Sequence, residues 1–124
     1  VLTSALVQDA DYAAKVKLNR EQVRSKNKES LQAIIDNETL DEAQKKAAVE
    51  EMITLTDIAE KESNAEMMLE AKGFTNVVVS ISDDACDVVL NMGDVTDAKR
   101  AQVEDIVKRK TGVAAENIVI TPIE

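Results

Sequence analysis

Thr75-Asn76-Val77-Val78-Val79-Ser80-Ile81-Ser82, set off from the preceding residues by Lys72-Gly73-Phe74, carries five β-branched side chains in eight residues, three of them consecutive valines. Alternation puts Val77, Val79 and Ile81 on one face and Val78 on the other, the pattern of a strand with little exposure to water. Its position divides the sequence. Everything before it is helical in pattern, and everything after it supplies two further strands and one helix to close around it.

Upstream, positions 9–36 contain neither Gly nor Pro and are mostly good helix formers, so one long helix is predicted there, with Val1 to Val7 fraying. Leu31, Ile34 and Ile35 make a proper apolar face near its end, whereas Asn19 to Ser30 offers only Val23 to bury. The first half is therefore expected to extend past the core. After Asn37-Glu38, Thr39-Leu40-Asp41-Glu42 fits a capping box that opens a second helix, running to Lys72 and ended by Gly73. So short a connection makes the two helices antiparallel neighbours. The apolar stripe of the second helix reads Ala48, Met52, Leu55, Ala59, then drifts to Ile58, Ala65, Met68 and Leu69.

Downstream, Ser82 to Ala85 is a polar turn into Cys86 to Asn91, where Cys86, Val88 and Leu90 alternate, so the two strands form a hairpin. Thr96 is the expected N-cap of a third helix over 97–111 with an apolar face of Val103, Ile106 and Val107, ended by Gly112. Asn117 to Ile123 is the last strand. The fold class is thus α+β, a long helical hairpin followed by a ββαβ unit, with the first strand expected at the centre of a three-stranded sheet. Two parts are expected, a long N-terminal helix over 1–38, partly protruding, and a globular unit over 39–124.

Composition removes several functions. With no histidine, the commonest general base and metal ligand is absent, and the single cysteine permits no internal disulfide. A net charge of −9 argues against duplex binding, which needs Lys and Arg on phosphates. Three glycines leave little material for a phosphate-cradling loop. No apolar run is long enough to span a bilayer, and the start at Val1 points to a fragment of something longer. Carboxylate pairs are too numerous for any one to be singled out.

Four features remain. Lys17, Arg20, Arg24 and Lys28 share one face of the first helix by their spacing, either as a solvated stripe or as a docking stripe for an acidic surface. Ile118, Val119, Ile120 and Thr121 form an edge strand able to accept an added strand. Asp83, Asp84 and Asp87 could offer oxygens to a cation in a sensing domain, though without the spread of ligands that a calcium loop needs; a solvated hairpin turn is the alternative. Cys86 alternates with core residues and reads as a small buried side chain.

Several separated segments together resemble the stage III sporulation protein AH family of endospore-forming bacteria, in its clostridial form. They are Asn27 to Leu31, Met52 to Thr56, Glu66 to Phe74, Arg109 to Gly112 and Ile118 to Pro122. The resemblance implies an extracellular domain whose fold is similar to the ring-building motif of type III secretion and flagellar basal-body rings. It further implies an N-terminal anchor in the mother-cell membrane and a place in the space around the engulfed forespore. It implies stage II sporulation protein Q as partner, oligomeric rings making a channel, and no cofactor or catalytic residues.

Overall fold

The computed structural model describes the backbone over residues 2–123 and side chains over 12–123. Seven elements follow in order: α1 (Leu2–Asp36), α2 (Glu42–Ala71), β1 (Thr75–Ser82), β2 (Ala85–Asn91), α3 (Asp97–Thr111), a short 3₁₀ turn (Ala115–Asn117) and β3 (Ile118–Pro122). The α+β class and the element order match the sequence reading. α1 already begins at Leu2, so Leu2 to Val7, expected to fray, are helical.

The strand order is β1-β2-β3, which corrects the expectation that the first strand is central. β2 lies in the middle, antiparallel to β1 and parallel to β3, with Cys86 opposite Ile118 and Val88 opposite Ile120. The crossover through α3 returns the chain beside the strand it left, as such crossovers commonly do. β1 is buried on both faces along Val77, Val78 and Val79 for another reason. Val77 and Val79 enter the core, and Val78 on the opposite face is buried too, where α1 packs on β1 and buries Ala13.

α2 and α3 cover one face of the sheet, and Leu69, Phe74, Val88, Leu90, Val103 and Ile106 are among the side chains of the core between them. Caps fix the helix boundaries. Thr96 accepts from the Lys99 amide at 3.1 Å, and Gly112 takes the left-handed φ of 78° that ends α3 without a Cβ clash. At α2 the N-cap is Asp41, accepting from Gln44 N–H at 2.8 Å, which corrects the predicted capping box. Thr39 is held instead by Asn37, whose side-chain oxygen accepts from the Thr39 amide at 2.9 Å and hydroxyl at 2.6 Å. The carboxylate of Asp41 also complements the positive end of the helix dipole, which a hydroxyl cannot.

The distal part of the helical hairpin has no third layer. Leu31, Ile34, Ile35, Leu40, Met52 and Leu55 are only half-buried, and Ile53 is 63% exposed. Apolar grooves of about 670 Å³ and 400 Å³ run beside these side chains. The region expected to protrude was the first half of α1, around Asn19 to Ser30. In the structure Ala13, Arg20 and Arg24 of that helix are drawn against the body, while the side chains of residues 1–11 lie outside the described residues.

Candidate functional site

An open β-sheet has two edges, each a row of backbone groups able to pair with another chain. In this protein they are treated in opposite ways. The outer edge of β1 is sealed by side chains. Val79 N–H donates to Glu66 Oε2 at 2.9 Å, Ile81 N–H donates to Glu62 Oε2 at 2.7 Å, and Arg20 Nη1 donates to the Val79 carbonyl at 2.7 Å.

The same carboxylates hold α1 in place. Arg24 donates to both oxygens of Glu62, through Nη1 to Oε1 and through Nη2 to Oε2 at 2.8 Å, a bidentate pair. Arg20 Nη1 lies 3.3 Å from Glu66 Oε2 and 3.5 Å from Glu62 Oε1, and Lys17 Nζ reaches Glu66 Oε1 at 4.0 Å. Glu62 is fully buried and Glu66 nearly so. The Arg24 guanidinium is raised above its ordinary pKa, first by its hydrogen bonds to Glu62, with desolvation opposing. No buried side-chain oxygen or nitrogen among the described residues lacks a partner.

This places the predicted basic stripe. Lys17, Arg20 and Arg24 point at the protein's own Glu62 and Glu66, so the acidic surface they meet is internal; Lys28 alone of the four is exposed with no ion pair among the described residues. A docking face for another molecule is not what the first three present. Sequence reasoning missed the glutamates. Their signal was present, because Glu62 and Glu66 fall on the stripe Ala48, Met52, Leu55, Ala59 continued at steps of three and four to Leu69.

The edge of β3 has no further strand beside it, and among the described residues no side chain bonds to it as Glu62, Glu66 and Arg20 bond to β1. Ile123 N–H donates to Leu90 O at 2.8 Å, and strand alternation therefore turns Val119 and Thr121 amides toward β2 as well. The backbone groups of Ile118, Ile120 and Pro122 point instead toward the open edge. The Ile118 amide is used by the Ala115 carbonyl and Pro122 has no N–H, so the open edge offers one donor, Ile120 N–H, and three carbonyl acceptors. Ile118 and Ile120 are half-buried over the core, while Val119, 55% exposed, and Thr121 face outward.

Of the other candidates, Cys86 is buried, and burial pushes its thiol up to about 12, with Glu62 and Asp87 adding to the shift. Asp83 and Asp84 form the exposed β1–β2 turn, Asp83 at a positive φ of 54°. Among the described residues no three metal-ligating side chains converge. None of the helices is long and apolar enough to cross a membrane within the same residues.

Among the described residues, then, an α+β body has one sealed and one open sheet edge, and its buried acids are committed to arginines. The chain belongs to the SpoIIIAH-like protein family, whose model matches residues 2–120. It is 22% identical over 102 residues to stage III sporulation protein AH of Bacillus subtilis (strain 168), covering 82% of this chain and 47% of that protein. The chain thus spans about half the length of that curated relative. A solved chain from the SpoIIQ-SpoIIIAH pore forming complex shares the fold, with a TM-score of 0.75 at 21% identity, covering 88% of this chain and 96% of the other. The resemblance drawn from separated sequence segments is borne out at the level of family and fold.

Proposed function

We propose that this chain is a non-enzymatic assembly domain of the channel linking mother cell and forespore during endospore formation, and that it binds the extracellular domain of SpoIIQ. The observation that carries the reading is the open β3 edge at Ile118 to Thr121, beside a β1 edge that is closed. Strand addition there supplies backbone hydrogen bonds, and neighbouring side chains supply selectivity. The name of the solved relative's complex and the family membership support the choice of partner. The whole protein is anchored in the mother-cell membrane, with this domain in the intermembrane space and copies arranged in an oligomeric ring.

An interface of standard size buries roughly 800 Å² per partner, more than one five-residue strand provides. Lys28 and the half-buried hairpin tip are the surfaces available to complete it. Co-purification with the SpoIIQ extracellular domain, followed by mass measurement in solution, tests the proposal. A stable complex, weakened by substitution at Ile120, is expected. No complex at tens of micromolar protein would overturn it.

A further inference from the structure

The outer face of the sheet has a charge pattern that bears on which strand can add to β3. In the three strands there is no Lys or Arg, and Asp87 is the only formally charged residue. Asp87 is exposed on the central strand and has no ion pair among the described residues. In the sheet register it stands between Ser80 on β1 and Val119 on β3. The row therefore runs Ser80, Asp87, Val119, and then open edge. One residue pair along, Val78, Val89 and Thr121 make the next outward row. Tyr12 of α1 closes over it, lining with Asp87, Val89, Thr121 and Ile123 a groove of about 430 Å³.

From these observations we infer that the strand recognised at β3 carries a lysine or arginine directly beside Val119, its aliphatic stem lying on Val119 and its cation resting on the Asp87 carboxylate. The spacing permits this. An added strand sits about 4.8 Å beyond β3, so its Cα lies roughly 10 Å from that of Asp87, across one intervening side chain. Long basic side chains bury their methylene stems along apolar surface while the head seeks a carboxylate or water. An acidic residue at the same place meets Asp87 where none of the three strands carries a Lys or Arg, and like charges so placed disfavour the wrong strand. Register follows as well. The added strand must align its backbone with the single donor, Ile120 N–H, and the basic residue then fixes which of its positions stands next to Val119.

This inference rests on strand addition at β3, and two separate readouts keep the two apart. The SpoIIQ extracellular domain is titrated into the chain and into the Asp87→Asn and Asp87→Lys variants, while amide exchange at Ile120 reports on the edge. Expected are protection of the Ile120 amide on binding, an affinity loss of about threefold or more in Asp87→Asn and tenfold or more in Asp87→Lys, and a shallower salt dependence in both. Protection of Ile120 with unchanged affinity in both variants overturns the inference and leaves strand addition standing. If Ile120 stays unprotected in a formed complex, both fall. Asp87 is exposed, so both variants are expected to fold; circular dichroism and the unfolding midpoint confirm it before the titration is read.

Discussion

At Glu62 a carboxylate with no solvent exposure accepts from Arg24 twice and from the Ile81 amide, with Arg20 beside it. Burying such a charge is unfavourable unless every lone pair is engaged, so removing one partner costs far more than the pair contributes. Arg24→Ala is expected to lower unfolding stability by about 3–5 kcal/mol in urea titration. Arg24→Lys should recover only part of it, because an ammonium cannot make the two-pronged contact. Cys86 gives a pH signature. Its thiol stays protonated in the fold up to about 12 but ionises in the unfolded chain from its ordinary value of 9.0. The folded state therefore holds a proton that the unfolded state releases. The stability associated with this is fully present below 9.0 and declines as pH rises toward 12. The slope is at most about 1.4 kcal/mol per pH unit. Denaturation curves of the chain and of Cys86→Ala from pH 8 to 11 should diverge in that direction; parallel curves would show that the thiol ionises freely in the fold.

Among the elements, the middle of α1 is held by its ion pairs to α2 and its guanidinium on β1, which is why its apolar pattern misleads. A hydrophobicity reading of Asn19 to Ser30 finds only Val23 and leaves the helix unanchored. The facing stripes Lys17, Arg20, Arg24 and Glu62, Glu66 supply the anchor, and neither is meaningful until the other is set opposite it. Element existence, the buried alternation of Cys86, Val88 and Leu90, and the Thr96 and Gly112 boundaries were all legible, because each is a local property. Strand order was not. The consecutive Val77, Val78 and Val79 of β1 signal burial on both faces, and burial of an edge strand by helices looks the same in sequence as burial between two strands. The cover on β1 is testable by amide exchange. In Glu66→Ala the Val79 amide loses its acceptor, so its exchange should accelerate by at least tenfold while Val88 in the central strand is little changed. At the other end of α2, Asp41→Ala should cost about 1 kcal/mol in thermal or urea unfolding, the usual value for an N-cap. Thr39→Ala, outside the cap, should cost clearly less.

For the molecule as a whole, the two ends of the helical hairpin differ in how they are held, and this sets how the structure opens. Near the sheet, Ala65 and Leu69 are fully enclosed and Glu62 is locked by arginine; at the tip the aliphatics rest on one another with one side toward water. Free energy of local opening follows such differences in enclosed apolar contact. Amides of Leu31 to Leu55 are therefore expected to exchange through a partial opening in which the tip separates, at a lower free energy than Val88, Val103 and Ile106, which should exchange only on global unfolding. Low concentrations of urea should leave tip exchange nearly unaffected and accelerate core exchange steeply, because global opening exposes more surface. One common free energy and one common urea slope across tip and core would show instead that the hairpin is cooperative end to end. The tip's apolar grooves would then be a feature of a rigid rod rather than of a segment that gains order when a partner covers it.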